Sequence, residues 1–295
     1  MAFLQIVTKK RDDVAKKRSL LPYLLLFPGL VWLFFFFLLP ILTLVGTSTK
    51  TPGLGLGDFV QTYRFANYWD AIVAVHTQFL RSFEYAGIAT VLALIISYPL
   101  AYAIAFKSGR WKNVLLVLVV APFFTSFILR TIAWKQILGS QGVVFKVLTN
   151  LHLVSQDTHL TASAFAVVSG LTYNFLPFMT LPLYASLERI DPRTMEASGD
   201  LYANAFTTFR KVTFPLSMPG VVAGTLLTFI PAAGDFVNAE ILGSPKTKMI
   251  GNVINARYLQ IVDYPTAAAL SFTLMIAILI LVTWYIRKSG TEELV

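Results

Sequence analysis

The 295-residue chain contains no cysteine, and its three histidines, His76, His152 and His159, are scattered. The first absence excludes disulfides, thiolate metal sites and cysteine nucleophiles. The second leaves no HExxH or other close metal-ligand spacing. Charge is scarce as well: Asp, Glu, Lys and Arg make up 13% of the residues, about half the share of a soluble domain. Walker A sequences, glycine-rich phosphate loops and Ser–His–Asp spacings are all missing. No catalytic residue, metal or cofactor is therefore expected in this chain, and any energy source is another polypeptide.

What is present is apolar: 56% of the residues are hydrophobic and 14% aromatic, including 24 Phe. Too little polar surface remains to cover a water-exposed sphere. This excludes a soluble or disordered chain and predicts an all-α integral membrane protein. A membrane β-barrel is excluded because the apolar runs do not alternate. Stretches at about 20–45, 83–106, 114–134, 160–187, 216–242 and 266–286 each reach the ~20 residues that a span needs. The first exceeds the ~7–15-residue core of a signal peptide and no small-residue cleavage site follows it, so an anchor helix is expected.

Lys and Arg set the orientation. Six precede the first stretch, three lie between the second and third, four between the fourth and fifth, and two follow the sixth; the opposite side holds eight. The positive-inside rule then puts both termini in the cytoplasm, with tails 1–19 and 288–295 flanking a transmembrane domain at 20–287. The net charge of +9 belongs to this pattern, so membrane lipid rather than nucleic acid is the expected surroundings.

The loop at about 188–215 carries more information than an inter-span connection requires. Asp191-Pro192 is a helix start: Asp caps free amides, and Pro suits the first helical position. Ala197, Ser198, Ala203 and Ala205 offer small side chains, Phe206 and Phe209 an apolar face, and Pro215 and Pro219 a stop. A docking element for a cytoplasmic partner and an ordinary interfacial helix both fit these features.

Here the sequence resembles the ABC importer permeases of the binding-protein-dependent, MetI-like family. Glu196-Ala197-Ser198, Leu201, Ala203, Phe209, Val212 and Phe214-Pro215 look like that family's cytoplasmic Glu-Ala-Ala loop. Two positions depart from it: Ser198 replaces the second Ala, and Tyr202 stands where the family usually has Gly. Ser97-Tyr98-Pro99, Ala121-Pro122-Phe123-Phe124-Thr125-Ser126 with Arg130, Leu176-Pro177-Phe178-Met179 and Met249-Ile250-Gly251-Asn252 are most similar to the spermidine/putrescine branch. The resemblance implies six transmembrane helices of the type I importer fold in a bacterial inner membrane. It implies a heterodimer with a second permease, two ATPase subunits that bind ATP and Mg, and an extracytoplasmic polyamine-binding protein. Glu196, Ala197, Ser198, Asp200, Leu201, Ala203, Phe209 and Pro215 are then the expected ATPase-coupling residues.

A polyamine asks for carboxylates and aromatic faces along its path. Asp235, Phe236, Glu240, Lys246, Tyr98 and Trp134 are the candidates for pathway or gate. Glu240 either pairs with Lys246 or Lys248 at the outer interface or uses that pair as a gate. Asp235 either lines the path or makes a buried helix–helix hydrogen bond. Glu84 is expected to snorkel to the interface. Arg130 is expected to meet headgroups or a partner subunit. Gly220 and Gly224 form a small-xxx-small spacing for close helix packing. Two rival readings stand beside this one: an importer of another solute, such as a sugar or phosphate ester, and an ATP-independent secondary transporter or channel.

Overall fold

A computed structural model describes residues 21–288 except 54, 56, 153 and 156–158. The expected tail at 1–19 and, beyond Lys288, the expected tail at 288–295 lie outside the described residues. In hydrocarbon no water is present to satisfy backbone N–H and C=O groups, so apolar runs close their hydrogen bonds within helices. The first stretch does so as α1 (Leu21–Leu33), a π-helical turn (Phe34–Leu38) and α2 (Leu39–Ser48). From Leu24 to Pro40 every residue of this rod is exposed.

At its C-terminal end the rod meets a small hairpin, β1 (Lys50–Pro52) and β2 (Phe59–Gln61), antiparallel with Lys50 opposite Gln61. Asn67 Nδ2 donates to the Ser48 and Lys50 carbonyls at 2.9 and 2.8 Å. These bonds fix the hairpin to the start of α3 (Ala66–Phe106). The sequence predicts a helix here from about residue 83. The structure begins it 17 residues earlier, and the 41-residue helix is about 60 Å long at ~1.5 Å per residue. Its outer part is polar enough to be missed by hydropathy, yet it is helical because it packs against the chain's last helix. Val75 (φ −128°, ψ 20°) kinks it.

The third stretch is not one rod. α4 (Lys112–Val120) and a 3₁₀ turn (Ala121–Phe124) lead to α5 (Phe127–Leu138) and α6 (Val143–Asn150). The two halves are bent by 97°. The cause is local: Pro122 cannot donate within a helix, and Thr125 and Ser126 are extended (ψ 151° and 137°). α7 (Ala164–Glu188) is continuous through Pro177 and Pro182, and the Ser163 hydroxyl caps it by accepting from the Ala166 amide. The loop that follows holds α8 (Pro192–Asp200), α9 (Ala205–Thr208), a π-helical turn (Phe209–Thr213) and α10 (Phe214–Leu216).

The fifth stretch also differs from an unbroken span. α11 (Met218–Ala233) stops two residues after Pro231, and α12 (Val237–Leu242) resumes after a break at Gly234–Phe236. α13 (Ile250–Leu259) and α14 (Tyr264–Lys288) complete the chain. Among the described residues four helices are long and apolar enough to cross a membrane, or up to six if two bent pairs, Gly109–Phe124 with Phe127–Asn150 and Ala205–Leu216 with Met218–Ala233 (63°), each count as one span.

The core is where α3, α7 and α11 pack, and small residues make it possible. Ala86, Ala89, Ala93 and Ala101 are fully buried on α3. A Cβ at Gly220 would stand 2.7 Å from the Pro182 carbonyl oxygen, and one at Gly224 3.0 Å from that of Met179. The paired glycines therefore let α11 lie against the α7 backbone, as their spacing predicts. Lys112 and Glu188 form an ion pair between α4 and α7. On the far side of the bundle, Arg64–Asp70 and Arg257–Asp263 pair at 2.9 and 2.8 Å.

Candidate coupling loop and membrane-buried polar site

Asp191 is extended and its carboxylate accepts from the Arg193 amide at 2.9 Å, so α8 starts where the sequence places it. α8 ends in a Schellman turn. The Ala203 amide donates to the Ser198 carbonyl at 3.1 Å, and the Tyr202 amide to that of Gly199 at 2.9 Å. This geometry needs one left-handed residue, normally Gly, and Tyr202 fills it with φ +60°. The second departure from the family pattern has a purpose too. Ser198 is buried, and its hydroxyl shares a 2.8 Å hydrogen bond with Thr208, pinning α8 to α9. Asn204 caps α9 by accepting from the Thr207 amide at 2.8 Å.

Glu196, Ala197, Asp200, Leu201, Phe209 and Pro215 are exposed, while Ala203 is half-buried. Among the large apolar side chains of the loop, Tyr202 at 99% and Leu201 at 82% are the most exposed. They stand on the turn between the two short helices with Phe206 beside them. Tyr98 is one of the residues expected along the substrate path. Tyr98 is buried on α3, its hydroxyl 2.7 Å from the Ser217 hydroxyl and its ring 5.6 and 6.0 Å from Phe209 and Phe214. It anchors the root of the loop to the bundle.

The second site lies where α5, α7 and α12 meet. Asp235 is 9% exposed and accepts from the Asn238 amide at 2.8 Å, which caps α12. Asn238 Oδ1 accepts from Asn174 Nδ2 at 2.9 Å, and Thr131 Oγ1 lies 3.2 Å from that same nitrogen. Gly170 makes the room: a Cβ there would stand 2.8 Å from Asn238 Oδ1. Asn174 Oδ1 and Asn238 Nδ2 are left without a hydrogen-bond partner. Trp134 and Tyr173 meet edge to face with centroids 5.3 Å apart. Thr131, Asn174 and Asn238 are not among the sequence candidates, although an uncharged polar residue inside an apolar span is itself a signal.

Glu240 is exposed, and its carboxylate accepts from Asn252 Nδ2 at 2.9 Å. Among the described residues no ion pair joins it to Lys246 or Lys248, so neither form of the Lys–Glu240 pair is made in this conformation. Asn252 also donates to the Phe236 carbonyl at 2.9 Å and accepts from the Met249 amide at 3.0 Å, holding α13 over the break. A Cβ at Gly251 would be 2.7 Å from the Gly234 oxygen, so only glycine permits this approach. From α3, the Ser82 hydroxyl accepts from the Ile250 amide at 2.7 Å. Phe236 is 42% exposed and Glu84 is exposed. Arg130 is buried, with its guanidinium over the rings of Phe123 and Phe127 and its Nε and Nη1 unpaired. Among the described residues no cluster of three or more His, Asp or Glu side chains suits a metal ion.

The described chain is a bundle of apolar, partly broken helices with a loop of short helices at one end. The family described as binding-protein-dependent transport system inner membrane component matches residues 93–288. The spermidine/putrescine transport system permease protein PotB of Haemophilus influenzae is 36% identical over 88% of this chain and 90% of that protein. PotB of Escherichia coli K12 is 36% identical over 88% and 94%. The inner membrane ABC transporter permease protein YdcU of Escherichia coli K12 is 34% identical over 92% and 90%. Among solved structures, a bacterial ABC transporter involved in the import of the acidic polysaccharide alginate superposes with a TM-score of 0.68 at 20% identity. That match covers 95% of this chain and 98% of the other. The chain belongs to the family of binding-protein-dependent transport system inner membrane components, and is a multi-pass permease of an ABC importer.

Proposed function

We propose that this permease imports polyamines, spermidine or putrescine, delivered by an extracytoplasmic binding protein. It works beside a second, similar permease and two cytoplasmic ATPase subunits that bind ATP and Mg. The observation that carries this reading is the 36% identity to spermidine/putrescine permeases along 88% of the chain. The chemistry of the polar site agrees with it. A carboxylate without a counter-cation suits an ammonium, whereas an anionic sugar or phosphate ester would ask for clustered Arg and Lys.

In this reading both termini and the loop at about 188–215 face the cytoplasm, following the Lys and Arg distribution. ATP binding draws the ATPases together, and the loop carries that movement into the bundle. The loop is built for such a role. Asp191 and Asn204 cap its helices, Ser198–Thr208 ties them together, and Tyr98–Ser217 fixes its root. A force on the exposed tip is then passed on rather than absorbed by bending.

The test is uptake of labelled spermidine and putrescine by the reconstituted complex. Uptake is expected to need ATP and the binding protein and to resist competition by sugars and phosphate esters. Uptake without ATP would identify a secondary transporter, and transport of another solute alone would overturn the substrate assignment. Glu196→Lys is expected to leave the permease in the membrane but reduce uptake at least tenfold. If ATP hydrolysis stays fully coupled to uptake in that variant, the loop is not the dock.

A further inference from the structure

The polar cluster at the meeting of α5, α7 and α12 does not close its hydrogen bonds within the chain. A buried polar group without a partner is costly, and membrane spans retain polar side chains chiefly for function. Asn174 is 1% exposed and Asn238 0%, yet Asn174 Oδ1 has no donor and Asn238 Nδ2 no acceptor. The Asp235 carboxylate receives the Asn238 amide but forms no ion pair with a Lys or Arg among the described residues. The neighbouring cation, Arg130, is turned to Phe123 and Phe127.

The missing charge is positive, and the missing partner of Asn174 is a donor. A primary ammonium supplies both, with three N–H groups on one nitrogen. Trp134 follows Thr131 by one helical turn and meets Tyr173 at 5.3 Å, giving aromatic surface for a cation and its methylene stem.

We infer that Asp235, Asn174 and Thr131 form an ammonium subsite inside the permease, occupied by one end of the substrate during passage. Asp235 supplies the countercharge, and Asn174 Oδ1 and Thr131 Oγ1 supply neutral acceptors. Asn238 ties the two sides together through its amide to Asp235 and its Oδ1 to Asn174. The site is shut in this conformation. It opens through the break at Gly234–Phe236, because α12 carries Asn238 next to Asp235 while Asn174 stays on α7. Water entering with the substrate satisfies Asn238 Nδ2. The subsite rests on the polyamine reading above.

The test uses the complete complex in proteoliposomes with saturating binding protein and labelled spermidine. Asp235→Asn and Asn174→Leu are each expected to lower the maximal uptake rate at least tenfold. Asn174→Gln keeps both the amide donor and the acceptor and is expected to stay within about threefold of the parent. Melting temperatures separate binding from packing. If Asn174→Leu transports at the parent rate, or if all three variants lose uptake in step with melting temperature, the subsite is overturned and the cluster only joins helices. If the parent complex imports no polyamine, the substrate reading itself fails.

Discussion

Tyr202 holds a left-handed backbone that an L-residue enters at a cost of about 1–2 kcal/mol, and its side chain is bare to solvent. Tyr202→Gly removes that cost and is expected to steady the turn by about 1 kcal/mol. Hydrogen exchange at the Ala203 amide, which donates to Ser198, is the local measure and should slow about fivefold. Unchanged exchange would mean that the turn bears no strain. The position was legible in the sequence because the family pattern has Gly there. The left-handed conformation was not, since a Tyr by itself predicts nothing of the kind. Asp191 was legible for the opposite reason: Asp-Pro before a helix has one dominant physical meaning. Asn174, Asn238 and Thr131 each carry only the general signal of an uncharged polar residue in an apolar span. Their meaning comes from three elements meeting, and the chain separates Thr131 from Asn238 by 107 positions.

At the scale of elements, hydropathy located every span but not its shape. An apolar run scores the same whether straight or broken, so the 97° bend after Phe124 and the break after Ala233 were invisible to composition. Pro122, Pro231 and Gly234 mark both places, yet Pro177 and Pro182 lie in a helix that stays continuous. Proline in a span is therefore a permission to bend rather than an instruction. The Gly220–Gly224 pair was readable because a four-residue spacing of small side chains maps directly onto one helix face. Gly224→Leu puts a branched side chain where a Cβ would already lie 3.0 Å from the Met179 oxygen. Overpacking of this kind costs about 1–3 kcal/mol or more. The variant is expected to lower the melting temperature of the purified complex and its yield from the membrane. Parental yield and melting behaviour would show that α7 and α11 are free to separate.

At the scale of the whole molecule, α3 reaches the root of the loop directly and the break beside the polar site by way of α13. Tyr98 grips the root of the loop through Ser217, and Ser82 grips the start of α13, whose Gly251 rests on the backbone at the break. The stretch between Ser82 and Tyr98 is helical throughout, with its one irregularity outside it at Val75, so it spans about 24 Å at ~1.5 Å per residue. A stiff bar clasped at both ends acts like a crowbar. A swing of roughly 10° about its inner clasp sweeps the outer one by about 4 Å, close to three residues of helical rise. In the proposed cycle, a tilt of α3 would move the root of the loop and the break beside the polar site together.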